Sequence, residues 1–204
     1  MFIELIDLLR CPIEHDETWL VAAFGKMDGR FVIEGKLGCP VCNASFPITS
    51  GVAHFAGEET RRDFRDARPD DPDYPIRIAA MLDLTRPGMI VVLEGGSAEV
   101  AKDLVEIAGS RVVTVNAVQS LNEAEGVAGV TAGNRLPLGT ASIDGIVVGT
   151  DSAFSLTEAI RVLKRAGRLV GTSSITPVPG TRELARDDQY VVLESVGELV
   201  TLKR

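Results

Sequence analysis

In the stretch GCPVCNASFPITSGVAHF, residues 38–55, Cys39 and Cys42 stand at the spacing with which a tight turn offers two thiolates to one metal ion. Zinc takes about four N, S or O ligands in a tetrahedron, so a second knuckle is expected upstream. The sequence there reads Cys11-Pro12-Ile13-Glu14-His15, with a single cysteine. Glu14 stands where the second cysteine of a knuckle would be, and His15 follows it. Either side chain can ligate zinc. Imidazole is the better companion of thiolates, and three cysteines with one histidine form a known structural donor set. The expectation is a structural zinc on Cys11, His15, Cys39 and Cys42, with Glu14 as the competing fourth ligand. His54 lies outside both knuckles and is expected on the strand that leaves the module.

The elements that must position these donors follow from the hydrophobic pattern. Residues 1–55 read as one compact module: a short apolar helix (Ile3, Leu5, Ile6, Leu8, Leu9), the Cys11 knuckle, then strand-like pieces at 18–24 and 30–34. Residues 57–73, GEETRRDFRDARPDDPD, carry charge of both signs and almost no core residues, the composition of an exposed connector. A helix is expected over 76–84, stopped by Pro87-Gly88. From there short apolar runs at 89–93, 111–115, 127–130, 143–148 and 168–171 alternate with helical segments at 98–108 and 156–166. Strands apolar on both faces suit a buried parallel sheet, so the class is α/β. Ser155-Leu-Thr-Glu158 has the form of a capping box. Asp151 is expected to cap the same helix, with orientation of a substrate hydroxyl or amine as the alternative. Residues 190–193 and 198–202, flanking Ser195-Val-Gly197, read as a closing antiparallel hairpin. The organisation expected is a module at 1–55, a charged linker and helix at 56–88, and an α/β domain at 89–204.

Composition narrows the setting. The chain has 204 residues, enough for one α/β domain and a small module. Its 29 acids against 21 bases give a net charge of −8, which opposes attraction to phosphate backbones and makes a nucleic-acid partner unfavourable. No apolar run reaches the ~20 residues that span a bilayer, and the first residues carry acids where a signal peptide carries bases, so a cytoplasmic location is expected. Three cysteines fit a reducing compartment and metal chemistry better than disulfides.

The residues also carry two family resemblances. LLRCP at 8–12 followed by LGCPVCNASFPITSGVAHF resembles the small zinc-ribbon activator subunit of tRNA, ribosomal and release-factor methyltransferases. The match covers residues 1–55 and departs from the pattern at the second cysteine. In that family the ribbon covers an apolar edge of a methyltransferase and is not itself catalytic. The stretch MIVVLEGGSAEVAKDLVEIAGSRVVTVNA is similar to the first strand, turn, helix and second strand of a class I S-adenosylmethionine-dependent methyltransferase. AGNRLPLGTASIDGIVVG with TEAIRVLKRAGRLVG is similar to that family's later part, and is the more specific match.

What this second resemblance implies is a Rossmann-like methyltransferase sheet with a cofactor turn at Glu94, Gly95 and Gly96, and a ribose contact at Asn116. The turn departs from the family's pattern at its later glycines, where Ala98 and Val100 stand. Asn116 replaces an acid and brings no charge. Ala132 stands at the place of the adenine-binding Asp. The motif that would name an amine substrate is replaced by Gly149-Thr150-Asp151-Ser152, and no Cys or His remains in this domain as a nucleophile. No catalytic residue is identified, and the methyl acceptor is undefined. Two functions follow from the resemblance: S-adenosylmethionine-dependent methyl transfer with the ribbon acting in cis, or a non-catalytic protein of methyltransferase fold that binds a protein partner.

Overall fold

A computed structural model describes residues 1–56, 71–117 and 125–197. The strands over these residues form a single eleven-stranded sheet in the order β1-β2-β3-β4-β7-β6-β5-β8-β9-β11-β10. Four of them, β1 (Val21–Asp28), β2 (Phe31–Gly38), β3 (Ser45–Thr49) and β4 (Val52–His54), make an antiparallel meander from the cysteine-bearing stretch. His54 therefore stands on the outgoing strand, as its place beyond the knuckles implied. The next five, β5 (Ile90–Glu94), β6 (Arg111–Val115), β7 (Val127–Thr131), β8 (Ile143–Val147) and β9 (Leu163–Thr172), run parallel. β10 (Thr181–Arg186) and β11 (Tyr190–Ser195) close the far edge antiparallel.

The chain leaves β5 toward β6 and β7, then returns to the other side of β5 for β8 and β9. That reversal is the topological switch of an open, doubly wound Rossmann-like sheet, and crevices outside the carboxyl ends of the strands at such a point are the usual place for ligands. The two expected modules are stitched together by β4, which pairs parallel with β7 from Val52↔Gly129 to His54↔Thr131. Glu4 adds an ionic tie: its Oε1 lies 2.7 Å from Arg30 of the meander and 3.7 Å from Arg111 of β6.

Alternation along the buried strands feeds two cores. Val91 and Leu93 pack with α1 (Tyr74–Met81) and α2 (Ala101–Ala108) through Ile78, Leu82 and Leu104. Val92, Val113 and Val115 face the opposite layer. There they meet α3 (Leu156–Val162) and the 3-10 helix Ile3–Leu8, which the apolar pattern of residues 3–9 foretold. Among the described residues no helix is long and apolar enough to cross a membrane.

Three local expectations are corrected. The helix expected over 156–166 ends at Val162, because Leu163 already pairs with Ile143 and opens β9; the sheet outcompetes the helical periodicity. β11 forms its hairpin with β10, upstream, and its other edge is taken by β9. Residues 198–202, the partner expected for it, lie outside the described residues. Asp151 does not cap α3: the cap is Ser155, whose hydroxyl accepts from the Glu158 amide at 3.2 Å. The connector read at 57–73 falls largely outside the described residues.

Candidate metal centre and the sheet crevice

The tight turn after β2 is built to present sulfur. The Cys39 amide donates to the Ala44 carbonyl at 2.9 Å, and the Asn43 amide returns to the Cys39 carbonyl at 3.0 Å. Asn43 takes φ 59°, a left-handed conformation its short polar side chain tolerates. On the other side Cys11 is fixed by its amide, which donates to the Thr18 carbonyl at 3.2 Å. The donor atoms of Cys11, His15, Cys39 and Cys42 come within 4.8 Å of one another.

These spacings fit a tetrahedral ion. Zn–S bonds of about 2.3 Å set a sulfur–sulfur edge of about 3.8 Å; the Cys11 and Cys42 Sγ atoms are 3.7 Å apart, and Cys39 Sγ lies 3.4 Å from His15 Nε2. His15 Nδ1 is 2.6 Å from the Asp16 carbonyl. A carbonyl only accepts, so Nδ1 carries the proton and Nε2 presents its lone pair to the thiols, an outer partner that orients a ligating imidazole. Of the two candidates left open by the sequence, it is His15 that reaches the sulfurs. Burial pushes the Cys11 thiol up to about 12. Burial also acts on Cys39, but the amides of Cys42 and Val41 and the thiols of Cys42 and Cys11 outweigh it and hold that group down at about 6. One ready thiolate beside a protonated thiol is a site that releases protons when it takes up a metal.

The centre is braced against the rest of the molecule. Arg10 pairs through its amide with the Pro137 carbonyl at 3.0 Å, and Gly139 with the Leu8 carbonyl at 2.9 Å. Glu17, just beyond the first knuckle, accepts from the Thr140 hydroxyl at 2.8 Å and from Arg161 of α3 at 3.2 Å. Arg161 in turn donates to the Leu138 carbonyl at 2.9 Å and the Leu136 carbonyl at 3.2 Å, and pairs with Glu158 at 2.6 Å. Glu158 also accepts from the Leu136 amide at 2.8 Å. The expected capping box is thus half formed: Ser155 caps, while the Glu158 carboxylate is recruited to this bridge.

The other residues singled out in the sequence gather at the switch point. Glu94 ends β5 and Asn116 follows β6 on the adjacent strand, with Gly95 and Gly96 in the turn between strand and helix. No protein-family model matches the chain, and no curated protein matches it. Among solved structures it is similar to a Methanococcus maripaludis protein assigned as an S-adenosyl-L-methionine-dependent methyltransferase (12% identity, 64% of this chain and 88% of that one, TM-score 0.49). It is also similar to a Galdieria sulphuraria protein assigned as a sarcosine dimethylglycine methyltransferase (18%, 49% and 44%, TM-score 0.40). A third is phosphoethanolamine N-methyltransferase 2 of Haemonchus contortus in complex with S-adenosyl-L-methionine (17%, 56% and 31%, TM-score 0.41). The chain spans 44% to 61% of the length of the first four solved structures it matches. At TM-scores below 0.5 the reading of the crevice rests on its own geometry.

In the crevice the chain's own backbone takes up the polar groups. Glu94 is 1% exposed. Its Oε1 accepts from the Ala153 amide at 3.0 Å and its Oε2 from the Gly149 amide at 3.4 Å, so the loop after β8 is folded onto the carboxylate. The turn itself is a 3-10 helix, Gly95–Val100, pinned by the Ser97 hydroxyl on the Glu94 carbonyl at 2.7 Å. Ala98 and Val100, where the family pattern has glycines, are fully buried in the core under α1 and α2. Asn116 spends its amide on Ala132: Nδ2 donates to the carbonyl and Oδ1 accepts from the amide, both at 2.9 Å. This pair prolongs the β6–β7 ladder by one rung made from a side chain. Glu94 of the expected cofactor turn and Asn116, the expected ribose contact, are both engaged by the chain's own backbone.

Hydrogen bonding around Glu94 and Asn116 could not be read from one sequence. The one signal available was compositional, an amide where an acid was expected.

Proposed function

We propose that this chain is a protein-binding scaffold of methyltransferase fold that works without S-adenosylmethionine, with an N-terminal zinc ribbon clamped to its own sheet. The observation that carries the reading is the double engagement of the crevice: Glu94 holds the amides of Gly149 and Ala153, and Asn116 holds both backbone groups of Ala132. A ligand would have to displace hydrogen bonds that are buried and internally satisfied, and each such exchange returns little. Zinc as the metal is supported by the three-thiol, one-imidazole donor set and by sulfur spacing that matches a tetrahedral edge. The net charge of −8 favours a protein over a nucleic acid as partner.

A second reading, S-adenosylmethionine-dependent methyl transfer to an acceptor, draws on one observation. Glu94, Gly95, Gly96 and Asn116 stand together at the carboxyl ends of β5 and β6, beside the switch point. Isothermal titration of the zinc-loaded protein with S-adenosylmethionine and S-adenosylhomocysteine separates the two. The scaffold reading expects no saturable heat at millimolar ligand; micromolar binding would restore the enzyme reading.

A further inference from the structure

The three thiols of the candidate metal centre differ in their access to solvent and in what surrounds them. Cys11 is 2% exposed and Cys39 3%, whereas Cys42, in the turn of the second knuckle beside the 58% exposed Val41, is only half-buried. The Cys39 sulfur accepts from the Cys42 amide at 3.5 Å and lies 3.4 Å from His15 Nε2. The Cys42 sulfur faces that of Cys11 across the two knuckles, at 3.7 Å.

A sulfur bound to zinc is held as the thiolate, the form that a peroxide oxidises, and among thiolates access decides which reacts first. Here that sulfur is Cys42. Its sulfenic acid forms in contact with a second cysteine, the arrangement in which a sulfenic acid condenses to a disulfide. Closing the bond brings the sulfurs to about 2.05 Å. Cys11 is anchored through its own amide on the Thr18 carbonyl and the neighbouring Arg10 amide on the Pro137 carbonyl, so the movement falls to the more exposed turn at Val41 and Cys42.

Two linkages compete for Cys42. A bond to Cys39 joins residues three apart and leaves nothing between the knuckles once the metal has gone. A bond to Cys11 joins residues 31 apart and ties one knuckle to the other. The longer loop removes more freedom from the unfolded chain, and thiol–disulfide exchange favours the more stable linkage.

We propose that Cys42 is a peroxide-reactive site, resolved by Cys11 into a cross-knuckle disulfide that takes the place of the zinc and keeps the ribbon folded. The inference rests on the metal reading above. The Cys42 sulfur attacks one peroxide oxygen: an S–O bond forms, the O–O bond breaks, and the hydroxide that leaves takes a proton from solvent. The Cys11 sulfur then attacks Cys42, the S–S bond forms, the S–O bond breaks, and the second hydroxide leaves as water in the same way. Two cysteines lose two electrons and one peroxide becomes two waters. Only Cys39 and His15 remain as donors, two of the roughly four that zinc takes, so the ion departs. The ties of the ribbon to the sheet, Arg10 to Pro137 and Thr140 to Glu17, involve no sulfur and persist.

The test treats the zinc-loaded full chain with a few equivalents of hydrogen peroxide and follows metal content, intact mass, a tryptic map and Tm. Trypsin leaves Cys11 on one peptide and Cys39 with Cys42 on another, so a bond across the knuckles joins two peptides and a bond within the second knuckle does not. Expected are zinc release in step with the loss of two hydrogens from the mass, a Cys11–Cys42 cross-link located by fragmentation, and an oxidised chain that melts higher than the reduced metal-free chain. A thiol reductant restores zinc uptake. Cys39→Ser still forms the cross-link and Cys42→Ser does not. Zinc-loaded protein inert to millimolar peroxide, a Cys39–Cys42 bond, oxygen added to Cys42 without a cross-link, zinc retained after the disulfide is complete, or an oxidised chain no more stable than the reduced metal-free one would each overturn the proposal. Reduced protein that takes up no zinc would remove the metal reading itself, and the exchange with it.

Discussion

Replacing Asn116 by Asp tests whether the crevice is structural or cofactor-binding. The substitution restores the acid that the family pattern has at this position and keeps the side-chain shape. Asn116 has φ 55°, and Asp tolerates that conformation as well, so the backbone is not the variable. What changes is one atom: the Nδ2 that donates to the Ala132 carbonyl at 2.9 Å becomes an oxygen facing an oxygen. The site is 5% exposed, so water does not relieve the contact. An unsatisfied buried acceptor costs about 1–3 kcal/mol and more when charged, and an uncompensated buried charge costs about 3–5 kcal/mol. The expected loss at pH 7.5 is therefore about 3–5 kcal/mol, or roughly 6–20 °C in Tm at about 2–4 °C per kcal/mol.

The pH dependence carries the diagnosis. Burial beside a carbonyl raises the carboxyl above its unfolded value of about 3.9. The penalty is absent at low pH, where the protonated acid can donate to Ala132, grows as pH rises through the unfolded value, and is complete above the folded one. Urea unfolding of wild type and Asn116→Asp at pH 4.5 and 7.5 measures it. A variant within 1 kcal/mol of wild type at pH 7.5 that also bound S-adenosylhomocysteine would refute the reasoning.

Further outcomes follow from the same contacts. Removing the metal with a chelator is expected to lower Tm markedly and to expose the three thiols to a thiol reagent, while His15→Ala loses most of the zinc and Glu14→Ala retains it, as read by metal content. Arg161→Ala removes the guanidinium that joins Glu17, Glu158 and the carbonyls of Leu136 and Leu138, and should cost about 2–3 kcal/mol in urea unfolding. Gly51→Ala should cost roughly 2–4 kcal/mol by the same assay. Ser50 and Gly51 form the two-residue turn between β3 and β4 with φ 49° and 76°, and a Cβ on Gly51 would stand 2.8 Å from the Met1 nitrogen and the Phe31 ring.

The parallel sheet was legible because its strands are apolar on both faces: β6 falls at the expected residues 111–115, and β5, β7 and β8 within one residue at each end. The cluster of Cys11, His15, Cys39 and Cys42 was legible because knuckle spacing is local. What stayed hidden is non-local. β10, with Arg182, Glu183 and Arg186, has no apolar alternation, and only pairing with β11 makes it a strand. Leu163 looked like the last turn of a helix until the sheet claimed it. Glu158 could be read as a capping partner from its spacing, whereas its actual partners, Leu136 and Arg161, depend on how the 136–139 loop folds back on α3.

The polar groups of the crevice at β5 and β6 are taken up by the chain's own hydrogen bonds. Residue-resolved amide exchange by NMR tests it most directly, on the zinc-loaded protein with and without millimolar S-adenosylhomocysteine. The account predicts that the amides of Gly149, Ala153 and Ala132 exchange slowly in the free protein and keep both their protection and their chemical shifts when the ligand is added. Fast exchange at these three amides in the free protein, with shifts and new protection around residues 94–100 on adding ligand, would contradict it.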